Sequence, residues 1–154
     1  ERTMYEKIKS ASKYPDLSDT ITDEEVNINY LEHFGFAKSL KKLKKKLKDK
    51  SVVIYGAGVF FQAIQRYYDL SGINIIGISD QRFEEHSADE MFLGYKAYAP
   101  YELKELNPDY VIVATKNFIN IIEDLYYDTL KGTKIKIKPI YDKGLINLIK
   151  DIWF

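Results

Sequence analysis

Two apolar runs constrain the fold of this chain more than anything else in it. Residues 51–55 read SVVIY and residues 110–114 read YVIVA, each with no polar side chain interrupting the run after its first residue. A strand that alternates apolar and polar has one wet face, whereas a continuous β-branched run is buried on both faces and belongs inside a parallel sheet. Helical spacing follows each run. Residues 59–70 place Phe60, Ala63, Ile64, Tyr67 and Tyr68 on one stripe, and residues 118–130 do the same with Phe118, Ile122 and Leu125.

The remaining elements complete the alternation. Residues 74–79 form a second strand ending at Asp80, and residues 94–98 form a short third one. Pro100 opens a small helix, a first-turn position that proline tolerates. Residues 134–139, KIKIKP, alternate strictly, and their lysines and proline suit an edge strand that resists further pairing. Strand and helix in turn imply right-handed crossovers and a three-layer α/β fold of Rossmann type, with a parallel sheet of about five strands.

Ahead of the sheet, Thr22 and Glu25 have the spacing of a capping box, so a helix is expected from there to about residue 49, broken at Gly35. Phe36, Leu40, Leu43 and Leu47 mark its apolar stripe, and the lysines between Lys38 and Lys50 occupy its wet face. The organisation expected is a lysine-rich helical extension over 1–50, the α/β domain over 51–141, and an apolar helix over 142–154. That last helix, with Leu145, Ile149, Trp153 and Phe154, carries more apolar surface than one stripe needs. It is expected to pack on the domain, on a second copy, or on a missing catalytic domain.

Composition removes several function classes. The 154 residues hold 23 basic and 23 acidic side chains, so no overall charge points to nucleic acid, and with no cysteine there is no disulfide, thiolate nucleophile or Cys-based zinc site. No apolar run reaches the roughly 18 residues of a membrane span, and a cytoplasmic location is expected. A Tyr-x-x-x-Lys spacing occurs at Tyr127/Lys131 and at Tyr5/Lys9, as chance predicts in a chain with 13 tyrosines and many lysines. Glu84, Glu85, His86, Asp89 and Glu90 match no established metal-ligand spacing and are expected to form a solvated acidic loop. The sequence begins at Glu1, which we take as a piece of a longer protein, and no catalytic constellation is recognised within it.

What remains is the turn after the first strand. Gly56-Ala57-Gly58 leads straight into a helix, which aims unpaired amides and a positive dipole end at the crevice above. Gly56 allows the tight turn and Gly58 the close approach of a ligand, with the amides of Val59 and Phe60 beside it. The dinucleotide fingerprint asks for a small residue three positions after Gly58, where this chain has Phe61. Asp80, at the end of the second strand, stands where a ribose-binding acid is expected, and Arg82 where a phosphate is held. Thr115, Lys116 and Asn117 follow the fourth strand and face the same switch point, unless Thr115 or Asn117 only caps the next helix. The alternative is that both glycines merely make a turn.

Residues 54–58, 76–80, 93–103 and 109–114 resemble the Rossmann-like domains of bacterial surface-polysaccharide enzymes: the N-terminal domains of nucleotide-sugar acetyltransferases and dehydratases, and modules fused to sugar methyltransferases or glycosyltransferases. The resemblance covers about residues 51–140. It implies a nucleotide or nucleotide-sugar ligand beside the glycine loop, Asp80 facing base or ribose, and a transferase-type parent. The alternatives are an assembly module that binds no ligand and an oxidoreductase that uses NAD(P).

Overall fold

The computed structural model describes residues 23–141. Two helices open it, α1 (Asp23–His33) and α2 (Phe36–Lys46), divided at Gly35, whose φ of 65° is a left-handed conformation that glycine adopts without strain. In α2 the stripe behaves as its spacing demands. Phe36 and Leu40 are buried, as is Leu47 just beyond, while Lys38, Lys41, Lys42, Lys45 and Lys46 face water.

The sheet contains β1 (Ser51–Tyr55), β2 (Asn74–Ser79), β3 (Met91–Phe92), β4 (Tyr95–Tyr98), β5 (Tyr110–Val113) and β6 (Lys136–Pro139), in the order β3-β4-β2-β1-β5-β6. All pairings are parallel except that of β3 with β4. Taking the five parallel strands in chain order, the sheet reads 3-2-1-4-5, the doubly wound arrangement, and the domain is Rossmann-like. Chain connections leave β1 towards β2 and leave β5 towards β6. The carboxyl ends of β1 and β5 therefore border a switch point.

Between β1 and β5 run α3 (Val59–Tyr67) and a short α4 (Leu103–Leu106), and after β5 comes α5 (Phe118–Asp124). The helix expected over 118–130 is α-helical only to Asp124 and widens into a π turn over Leu125–Thr129, where the Leu130 amide donates to the Leu125 carbonyl at 2.7 Å. Within β2, the register against β1 slips between Val52 and Val53, so that Val53 faces Gly77. A side chain at Gly77 would enter the Tyr98 ring, its Cβ falling 2.4 Å from Cε2. Glycine here lets an aromatic ring lie flat on the strand.

One core serves the whole described chain. Tyr30, Leu31, Phe36, Leu40 and Leu47 from the leading helices join Val52–Ile54 of β1, Phe61 and Ile64 of α3, Val111–Val113 of β5 and Ile137 of β6. The segment preceding β1 thus shares its burial with the sheet, and α1 lies against α3, with Arg66 Nε 3.1 Å from Glu24 Oε1.

Three sequence-based expectations change. β3 adds a sixth, antiparallel strand through a turn at Leu93 and Gly94, both at positive φ (53° and 86°). In β6 the alternation places Lys138 outward, yet Lys138 is 9% exposed and Pro139 is intermediate, and of the two lysines in the strand only Lys136 is exposed. In the loop over 84–90 Glu84, Glu85 and Asp89 are exposed as expected, but the His86 side chain is largely covered, its Nε2 bonds Glu102 Oε1, and its Nδ1 meets the Ser87 carbonyl at 2.7 Å. The apolar helix expected over 142–154 and the capping Thr22 lie outside the described residues. No helix among the described residues is long and apolar enough to cross a membrane.

Candidate functional site at the glycine loop

The carboxyl ends of β1, β2 and β5 bring together the residues that the sequence singled out. Gly56 has φ 117°, which a side chain would strain, and its amide donates to the Ser79 carbonyl of β2 at 2.8 Å. A Cβ on Gly56 would lie 2.8 Å from Thr115 Cγ2 and 3.0 Å from the Ala114 carbonyl oxygen. The turn is therefore wedged between β2 and the loop after β5, and Thr115 touches it.

Gly58 differs from Gly56. Its φ of −85° suits any residue, and among the described residues no atom approaches within 4 Å of where its Cβ would stand. It N-caps α3 without a side-chain hydrogen bond. The first amide of this stretch to find a helix carbonyl is that of Gln62, at 3.1 Å from the Gly58 oxygen, so those of Val59, Phe60 and Phe61 have no acceptor within the helix. Val59 is 57% exposed. Among the described residues, nothing fills the space beside Gly58 and no acceptor is recorded for the amides of Val59, Phe60 and Phe61.

Asp80 has a more definite position than its spacing foretold. Its Oδ2 accepts from the Ala57 amide at 2.8 Å, and its Oδ1 from the Arg82 amide at 3.0 Å, which caps a 3-10 turn over Gln81–Phe83. The carboxylate thus fixes the middle residue of the glycine loop, and its side chain remains 25% exposed. Arg82 Nε lies 3.9 Å from Asp80 Oδ1 and its guanidinium stacks 5.3 Å from the centre of the Phe92 ring. Burial, followed by the charges of Asp80, Asp124 and Glu84, pushes the Tyr55 phenol up to about 12 and keeps it neutral.

Phe60 and Phe61, which stand where a tight phosphate loop favours small side chains, turn away from the open side. Phe61 is fully buried, 6.4 Å from the Tyr95 ring, and Phe60 packs on Tyr30 and Tyr141 at 6.2 and 5.4 Å. The opposite wall is the loop before α5. Lys116 sets its ammonium 5.1 Å over the Tyr30 ring, and its carbonyl accepts from the Tyr141 hydroxyl at 2.9 Å. Asn117 is exposed and precedes α5 without a side-chain cap hydrogen bond, so capping does not explain it.

Four residues belong to this region that sequence reasoning missed or assigned elsewhere: Ser79, Tyr30, Phe118 and Tyr141. Among the described residues, the buried side-chain polar atoms without a hydrogen-bond partner are Ser79 Oγ and Thr115 Oγ1. Both sit on the strand ends that flank Gly56. Buried hydroxyls ordinarily find partners, so these two set the surroundings of Gly56 apart from the rest of the described core. Tyr30 and Tyr141 had no sequence signal beyond being aromatic, since one precedes the sheet and the other follows it.

No family model matches the sequence, and no curated protein sequence matches it. Among solved structures it is similar to shikimate dehydrogenase 1 from Peptoclostridium difficile, at 17% identity and a TM-score of 0.40, over 80% of this chain and 60% of that one. It is also similar to a chorismate mutase/shikimate 5-dehydrogenase fusion protein from Clostridium acetobutylicum, at 18% identity and a TM-score of 0.39, over 79% of this chain and 54% of that one. The chain therefore spans less than two thirds of the length of either.

Proposed function

We propose that this chain is a nucleotide-binding domain whose ligand phosphates sit at the head of α3. The observation that carries this reading is Gly58 at the head of α3, where no described atom lies within 4 Å of a Cβ, together with Asp80 Oδ2 fixing the Ala57 amide of the same loop at 2.8 Å. The amides of Val59 and Phe60, with the positive end of the α3 dipole, supply donors to phosphate oxygens. Asp80 holds Ala57 in place and offers its exposed edge to a ribose hydroxyl, and Arg82 adds positive charge beside it. Thr115, Lys116 and Asn117 border the site from the β5 side. The role is binding and orientation, with bond-making groups supplied by another domain.

The parent we favour is a transferase-type enzyme of bacterial surface-polysaccharide biosynthesis that handles a nucleotide sugar, a reading supported by the motif resemblance over residues 51–140. An NAD(P)-dependent oxidoreductase is the second reading, favoured by the 3-2-1-4-5 strand order and by the acid at the end of β2. Thermal-shift titration with ADP, UDP, UDP-glucose, NAD and NADP tests the common premise. A ligand that binds only the folded form stabilises it by about 2.7 kcal/mol at a hundredfold excess over its Kd. If none raises the melting temperature, nucleotide binding is refuted and an assembly module is what remains.

A further inference from the structure

A dinucleotide on a doubly wound sheet lies across the carboxyl ends of the strands, one half on each side of the switch point. The two sides of this switch point are unlike. On the β2 side no atom of the described residues lies within 4 Å of a Cβ at Gly58, Val59 is exposed, and the side chains of Asp80 and Arg82 are 25% and 46% exposed. On the β5 side the crevice holds aromatic rings. Tyr141, 2% exposed, lies between Phe60 at the head of α3 and Phe118 at the head of α5, with ring centroids 5.4 and 5.3 Å away. Tyr30 closes the group from α1, edge-on to Tyr141 at 5.8 Å.

These rings are fixed as well as packed. The Tyr141 hydroxyl donates to the Lys116 carbonyl at 2.9 Å and lies 3.2 Å from the Tyr30 hydroxyl, so swinging the ring out breaks a buried hydrogen bond and uncovers three neighbours. Burial, then the bond to Tyr30, holds the Tyr141 phenol well above the ordinary tyrosine range, and it stays an uncharged donor.

We infer, on the premise that the loop binds a nucleotide, that the site reads one nucleoside with its phosphates and that whatever is attached beyond the phosphates gains nothing from this crevice. The attached group, a second nucleoside or a sugar, points away from the β5 side and is left for another domain to hold. The same inference gives Phe60 its role, since its ring builds the plug from the head of α3.

Isothermal titration of the unmodified chain decides the matter with two pairs of probes, NAD against ADP and UDP-glucose against UDP. The expected result is that the nucleotide of at least one pair binds and that its extended partner binds within threefold of it. A tenfold or greater gain for NAD over ADP, or for UDP-glucose over UDP, overturns the inference while leaving nucleotide binding intact. Absence of binding by all four probes removes both together.

Discussion

The Asp80 carboxylate accepts the Ala57 amide at 2.8 Å, tying the end of β2 to the middle of the glycine loop. A hydrogen bond to a charged group of this kind contributes about 1.5–3 kcal/mol. Asp80→Ala is expected to lower stability by that order in urea unfolding and to weaken nucleotide affinity at least tenfold. Asp80→Asn, which keeps one accepting oxygen, is expected to lose less of both. Unchanged affinity in a folded Asp80→Ala protein removes Asp80 from the ligand site and leaves it as a loop anchor.

The two glycines of the loop are expected to separate fold from function. Gly56→Ala puts a side chain at φ 117° and 2.8 Å from Thr115 Cγ2, against a backbone carbonyl that cannot yield, and should cost about 1–3 kcal/mol or more. Gly58→Ala meets nothing within 4 Å at an ordinary φ and should change stability by less than about 0.5 kcal/mol. Its methyl group would point into the space beside the free amides. Calorimetric titration of Gly58→Ala should therefore show weakened nucleotide binding in a protein of unchanged melting temperature.

Gly77→Ala tests the bulge. The added methyl group would fall 2.4 Å from the Tyr98 ring and 3.1 Å from the Lys96 carbonyl oxygen, so the ring must leave its place on β2. A loss of about 1–3 kcal/mol is expected, as for overpacking in a core. Combining it with Tyr98→Ala should cost less than the two separate losses added together, since the second change removes the first one's obstacle. Strict additivity in urea titrations contradicts this account.

The bond between His86 and Glu102 predicts a dependence on pH. The Glu102 bond, followed by the Ser87 carbonyl, raises the His86 pKa above 6.5, so the stability from His86 is complete below about that pH and fades as pH rises through the raised value. For Glu102 burial opposes ionisation, but the Ala99 amide and His86 hold its pKa below 4.5, so its contribution is complete above that pH and fades in stronger acid. The stability difference between the unaltered chain and His86→Gln should be largest between about pH 4.5 and 6.5 and shrink towards pH 9. A difference independent of pH across that range argues against the charged pair.

Local pattern alone was enough to place the parallel strands and the helices between them in order, though not β3 or the π turn after Asp124. The continuous apolar runs at 51–55 and 110–113 suit strands buried between helices, Gly56 and Gly58 follow the first of them into α3, and Asp80, expected at a ribose, follows β2 and holds the Ala57 amide. Those properties are local, because periodicity and backbone freedom are read within a few residues. Tertiary structure alone decided how the crevice is filled. Tyr30 and Tyr141 are separated by 111 positions and meet only because α1 and the chain after β6 converge on α3, and His86 finds Glu102 only through the β3–β4 turn. Lys138 shows the limit from the other direction: its alternation is that of an outward residue, and neighbours supplied by the fold bury it regardless. No local pattern encodes which distant side chain will arrive, so the loop was legible and its aromatic plug was not.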